Sequence, residues 1–299
     1  MATPAIESQF GRWGTRPLAR VSQLFDMHSK VTVAALIGPP AQGERAYAAQ
    51  HCAHIGSGDL VLLDRGYPAF WLFGRIRTQN AHFCARMPVG LWRVVDAFVA
   101  TGRPEQNVTL TPGAMALADC QTHQWPSCPL QVRLVRITLD SGAVEVLGMS
   151  LLDQERYPYA VFKELYHQRW PVEEDDKVLK LRVEVENWAG KSPLSIYQDF
   201  HAKVFTATLT AILALSAQAV VAQQSQAKQY TYQVNCAHRL SKMKNTVVRL
   251  LCRTHMADLL TSLWQIMLRT VEPIRPGRKY PRDKTTQRRR FALTYKPLR

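Results

Sequence analysis

Residues 165–180, LYHQRWPVEEDDKVLK, concentrate the groups most able to do chemistry in this chain. Tyr166, Arg169, Glu173, Lys177 and Lys180 recur at intervals of three, four, four and three. That spacing puts them on one stripe of a continuous helix. The stripe holds an aromatic hydroxyl, a guanidinium, a carboxylate and two ammoniums. A glutamate among cations stays ionised and can hold a divalent metal, and cations on the same face can grip phosphate beside it. A solvated helix with Glu–Lys pairs shows the same spacing, so spacing alone leaves both readings open. A second acid, Asp64, ends the apolar run of residues 59–63, DLVLL. It is either a carboxylate presented at a strand end or a turn residue before Gly66.

Elements able to position these groups can be read around them. Residues 17–27 and 30–37 read as two strands of a hairpin. Residues 43–54 read as a helix, 59–63 as a strand buried on both faces, and 68–76 as a helix with Pro68 in its first turn. Strand readings follow at 83–86, 108–110, 131–139 and 143–152, with Asp140-Ser141-Gly142 as the turn between the last two. From Tyr157 to about Arg269 the pattern is helical. The expectation is an α/β fold with a sheet of mixed direction. Four segments suggest themselves: 1–79, a β-rich stretch at 80–152, a helical stretch at 153–272 and a basic tail at 273–299.

The composition narrows the partner. The chain has 299 residues, 38 Lys and Arg against 23 Asp and Glu, and a formal charge of +15. A folded protein this basic attracts polyanions, nucleic acid first among them. The tail carries Arg288, Arg289 and Arg290, which suit phosphate contacts. Six cysteines form no C-x-x-C pair, which indicates reduced thiols rather than a disulfide framework. His51-Cys52-x-His54 lacks a second pair at zinc spacing. The first 20 residues show no secretory apolar segment. Residues 204–227 carry no charge but are diluted by Thr, Ser and Gln, and read as a buried core helix rather than a membrane span. A cytoplasmic, nucleoid-associated protein is expected. Trp71, Trp92 and Trp125 read as packing residues, although an aromatic in residues 80–152 also suits a flipped base.

The pattern Y-x2-R-x3-E-x6-K, with an extra Lys four residues after the Glu, resembles the signature of the IS-four-type bacterial DDE transposases. Arg169-Trp170 before Val172-Glu173, and Leu179-Lys180 after, match its context. Upstream, LVLLDRGYPAFWLF (60–73) resembles the family's second motif, a strand ending in Asp-Arg-Gly-aromatic. The resemblance covers most of residues 17–220. It implies an RNase H-like mixed sheet with a β-rich insertion at 80–152 and a helical, basic C-terminal region. It implies Asp64 and Glu173 as the second and third catalytic carboxylates, holding Mg2+ or Mn2+ for two-metal phosphoryl transfer. It places Tyr166, Arg169, Lys177 and Lys180 on the DNA backbone. The implied partners are the terminal inverted repeats of an element, and a second copy or a full-length transposase.

The match departs from the family at its start. The family's first Asp sits upstream of the segment resembling 17–37, and residues 1–25 contain no Asp. Asp26 is the first candidate, but it lies at the expected hairpin link. The chain therefore reads as N-terminally truncated and inactive alone. The alternative is a non-enzymatic DNA-binding remnant or inhibitor. Pro171 kinks the expected helix or begins a new one. Asp176 falls where an apolar residue belongs.

Overall fold

The computed structural model describes residues 3–14, 16–125, 127–139, 142–188, 190–252 and 255–275. In chain order the elements begin with α1 (Pro4–Phe10), β1 (Arg12–Trp13), β2 (Arg16–Pro17), β3 (Arg20–Asp26) and β4 (Val31–Gly38). Next come α2 (Glu44–His51), β5 (Leu60–Leu63), α3 (Phe70–Thr78), β6 (His82–Met87), α4 (Arg93–Thr101) and β7 (Glu105–Leu110). They continue with α5 (Ala114–Thr122), β8 (Leu130–Thr138), β9 (Val144–Met149), α6 (Val161–His167) and α7 (Trp170–Leu181). The last are α8 (Pro193–Ser225), β10 (Thr231–Val234), α9 (Cys236–Leu251), α10 (Met256–Arg269) and β11 (Val271–Ile274). The chain divides into a sheet unit, Arg20–Leu24 and Gly38–Pro171, and a helical unit, the described parts of Met1–Ala19, Phe25–Ile37 and Val172–Arg299.

The sheet unit is built on five strands in the order β5-β6-β9-β8-β7. β5 and β6 are parallel; the other neighbours are antiparallel. Successive side chains of a strand point to opposite faces, and the two cores obey this. Val61, Leu63, Phe83, Ala85, Met87, Val132, Leu134 and Val146 pack on one face with α3 and the helices after it. Leu60, Leu62, Cys84, Val135, Leu147 and Met149 pack on the other with Phe162, Leu165 and Tyr166 of α6. Gly148 is small by necessity, because a Cβ there would lie 2.8 Å from Met87 Cγ. The strands of 80–152 are thus hydrogen bonded into the same sheet as the strand that ends at Asp64. Segments 93–101 and 114–122, for which no element was read, are the helices α4 and α5.

One buried cation fixes the α6 side of this sheet. Arg133 on β8 is 0% exposed. It pairs with Glu105 of β7 through two nitrogens, donates to the Tyr157 carbonyl at 2.7 Å, and lies 4.9 Å from the Phe162 ring. The segment leading into α6 is thereby tied to the sheet.

The helical unit packs α1, β4, α7 and the first half of α8 around Phe10, Ile37, Leu179, Val183 and Phe200. Further along, α8 packs on α9, α10 and the β10–β11 ladder. The expected apolar helix exists and is longer, Pro193–Ser225, opened by a capping box between Ser192 and Ser195. Its most apolar window is only 22% buried, less than a core helix demands, and it is long and apolar enough by composition to cross a membrane. Gln218 is not mere dilution: its amide donates to the Tyr232 carbonyl and accepts from the Val234 N–H.

Local chemistry decides between the readings left open for Pro171, Asp26 and Asp176. The single helical stripe is broken: α6 ends at His167 and α7 starts at Trp170, with Pro171 in its first turn where a missing N–H costs nothing. Asp26 is a turn residue, its carboxylate accepting from the His28 and Ser29 N–H groups and from the Ser29 hydroxyl. Asp176 is exposed and so spares the core. The Asp140-Ser141 pair and the basic tail with Arg288, Arg289 and Arg290 lie outside the described residues.

Removing the buried cation should be costly. Arg133→Met should lower unfolding stability by about 3–5 kcal/mol, the usual cost of stranding one partner of a buried ion pair. Urea denaturation monitored by circular dichroism checks this, with Arg103→Met on the exposed surface as a near-neutral control.

Candidate active site

Asp64 follows the last residue of β5, a short apolar strand. By the alternation that sends Leu60 and Leu62 toward α6, Asp64 falls on that same face. The chain then turns sharply, with the Tyr67 N–H donating to the Asp64 carbonyl at 3.0 Å. The turn is held from α2: Arg45 Nε donates to the Gly66 carbonyl at 3.1 Å. Gly66 is also tightly placed, since a Cβ there would lie 3.2 Å from Glu44 Oε2.

Two of the expected partners gather around Asp64. Arg169 Nη1 lies 3.9 Å from Asp64 Oδ2, and the two side chains are 13% and 44% exposed. The Tyr166 hydroxyl donates to the Leu63 carbonyl at 3.3 Å, one residue before the acid. The Arg169 guanidinium is 5.8 Å from the Tyr166 ring centroid, at cation–π range. Burial pushes the Tyr166 hydroxyl well above its ordinary pKa, and repulsion from Asp64 adds to the rise while Arg169 opposes it. Tyr166 is therefore a neutral donor that pins the strand end.

Glu173, Lys177 and Lys180 lie on α7 in the helical unit at i, i+4 and i+7, which is one helix face. Glu173 is in the first turn and half-buried, and both lysines are exposed. Arg45 and Glu44, which brace the Asp64 turn, were invisible to spacing because α2 lies about twenty residues upstream. An open cavity of about 410 Å3 beside this turn is lined by Arg20, Glu44, Arg45, Gly66 and Trp71, with His123 stacked on Trp71 at 3.7 Å. The His51-Cys52-x-His54 cluster is structural in character. His51 is buried with Nε2 3.0 Å from the Ser22 hydroxyl, and Cys52 Sγ faces the Ala48 carbonyl.

Residues 9–209 match the family model for the transposase DDE domain, two thirds of the chain. The chain belongs to the DDE-domain transposases. No curated protein matches it. Asp64, Tyr166, Arg169, Glu173, Lys177 and Lys180 of this transposase all lie inside the matched span, and α9 and α10 lie beyond it. Its fold is mixed α/β, consistent with an RNase H-like DDE domain.

The family uses divalent metal ions, and the fit of such an ion turns on the donor atoms present. Asp64 Oδ1 is buried and has no hydrogen-bond donor among the described residues. A carboxylate oxygen withdrawn from water without a donor is what a hard cation stabilises, and oxygen is the ligand such a cation prefers. The donor type fits. Among the described residues no three His, Cys, Asp or Glu side chains cluster closely enough to hold a metal by themselves.

The raised pKa of Tyr166 has a stability consequence. Unfolded tyrosine ionises near pH ~10, while the folded chain keeps the Tyr166 proton to higher pH. Stability from this group is full below that pH and falls as pH rises above it, by up to about 1.4 kcal/mol per pH unit. Tyr166→Phe should cost about 1 kcal/mol at neutral pH, from the lost hydrogen bond. It should also flatten the alkaline decline of the urea midpoint. An identical decline in the variant would show that Tyr166 ionises as freely as an exposed tyrosine.

Proposed function

We propose that this chain is an IS-four-type DDE transposase that acts on the terminal inverted repeats of its element. The reaction is DNA cleavage and strand transfer by metal-dependent phosphoryl transfer, with Asp64 and Glu173 as two of the acidic ligands. The observation that supports it most is the family match together with Asp64 at the end of a buried strand, one oxygen buried without a donor, and Tyr166 and Arg169 drawn around it. Mg2+ or Mn2+ on these carboxylates would polarise the scissile phosphate and ease ionisation of the attacking hydroxyl.

The chain's own residues divide the remaining work. Tyr166 fixes the backbone at Leu63 and so the direction in which Asp64 points. Arg169 balances the Asp64 charge and presents a planar fork suited to a phosphate. Lys177 and Lys180 contact the backbone as point charges, and Arg288, Arg289 and Arg290 supply further phosphate contacts. The DNA partner places the protein at the nucleoid, as a homodimer or paired with a full-length transposase.

A second reading follows from the donor count. Among the described residues no cluster of three His, Cys, Asp or Glu side chains supplies the set that a two-metal site needs, and on this reading the chain by itself binds DNA without cutting it. It would then be a DNA-binding remnant or an inhibitor of a complete transposase.

Both readings are tested with purified chain, a labelled element-end duplex, and Mg2+ or Mn2+. Strand cleavage supports the first reading, and binding without strand cleavage supports the second. The slope of log K against log salt should fall by about 0.9 for each of Lys177→Gln and Lys180→Gln, and deleting 276–299 should flatten it further. Cleavage that Asp64→Ala abolishes would overturn the inactivity of the isolated chain. Absence of any salt-dependent DNA binding would sink both readings.

A further inference from the structure

Residues 200–257 contain seven Lys or Arg and no Asp or Glu. Most of that charge lies on α9, beyond the span that matches the family. Leu240, Met243, Val247 and Leu250 turn inward from α9 into the core. Arg239, Lys242, Thr246 and Arg249 recur at three, four and three along another line of the helix. Lys242 and Arg249 are exposed. Arg239 is half-buried, its Nε without a hydrogen-bond partner among the described residues and its guanidinium 3.8 Å from Cys236 Sγ. Three cations and a hydroxyl thus line one side of α9, in a stretch of 58 residues without an Asp or Glu, and such a positively charged surface attracts polyanions.

The helix packs against α7. Lys244 Nζ donates to the Arg182 carbonyl at 2.9 Å, just past the end of α7. Leu179 and Val183 share one core cluster with Leu240 of α9. Lys177 and Lys180 therefore belong to the same packed body as the α9 stripe. At 1.5 Å per residue, Lys242 and Arg249 stand about 10 Å apart along α9, within reach of phosphates on one DNA strand.

We propose that Arg239, Lys242 and Arg249 form a second DNA-backbone contact, continuous with the one on α7. The proposal rests on the reading of the chain as a DNA-binding transposase. The partner is duplex DNA, recognised by phosphate charge and not by sequence. Val248 and Leu251 are exposed beside the stripe, so an anionic membrane surface is the competing occupant that the test must separate.

The experiment measures duplex affinity between low and moderate salt for the full chain and three double variants, each checked for an unchanged thermal melt. Lys242→Gln with Arg249→Gln should lower the log–log salt slope by about 1.8, at roughly 0.9 per phosphate contact. Lys242→Arg with Arg249→Lys should leave it unchanged. Lys177→Gln with Lys180→Gln should lower it independently. If the α7 pair lowers the slope and the α9 pair does not, this inference fails while the transposase reading stands. If neither pair matters, both fail. Binding to phosphatidylserine vesicles that the α9 pair abolishes, with no change in DNA slope, would reassign the surface to lipid and overturn the proposal.

Discussion

The guanidinium of Arg133 lies fully buried beneath the helix that carries Tyr166. Its partners come from three places: Glu105 on the edge strand β7, the main chain of the 153–157 segment, and the Phe162 ring on α6. A charge withdrawn from water is tolerable only when most of its donors are satisfied, so these partners hold one another in place. The Tyr166 hydroxyl can meet the Leu63 carbonyl because α6 is docked on the sheet face where Leu60 and Leu62 also point. The candidate site around Asp64 thus inherits its position from an ion pair that lies outside it.

The strand alternation supplies the second constraint. β5 is only four residues long and, among the described residues, is hydrogen bonded on one side to β6 alone. A one-residue slip would turn Asp64 to the opposite face, away from α6. Two features oppose the slip. Val61 and Leu63 are committed to the face that carries α3, and Arg45 clamps the Gly66 carbonyl just beyond the acid. Placement of the carboxylate is therefore over-determined on both sides of it.

Much of this was legible in residue order. The apolar run before Asp64, the helix that follows it, the hairpin before it and the strands at 83–86, 108–110, 131–139 and 143–152 all read directly from pattern. The helices α4 and α5 did not. RVVDAFVAT is rich in β-branched and aromatic residues, which suit a strand, although Val94, Val95, Phe98 and Val99 share the helical face that packs on the core. In α5 a single residue, Cys120, is buried, so there is almost no periodicity to read. The Arg133–Glu105 pair spans 28 positions and follows no local rule. Gln218 looked like a polar fault in an apolar helix because its partner, the four-residue strand β10, is too short to announce itself. Pro171 did announce the break between α6 and α7. That break means the tyrosine and arginine of the motif are fixed by sheet packing, while the glutamate and lysines are fixed by the core around Leu179 and Val183.

The state of Asp64 bears on why these residues are arranged as they are. One carboxylate oxygen faces a guanidinium at 3.9 Å, too long for a hydrogen bond, and the other is buried with no donor among the described residues. Leaving a buried polar atom unpaired costs on the order of 1–3 kcal/mol, and a half-exposed ion pair returns at most about 1 kcal/mol. On stability alone, a residue without that charge would serve the end of β5 better. The surrounding chain nevertheless spends several groups on holding Asp64 in this geometry: the Tyr166 hydroxyl, the Arg169 fork and the Arg45 clamp. An acid kept at a net cost by neighbours that fix it without satisfying it is what the proposed role of Asp64 as a metal ligand beside a phosphate calls for.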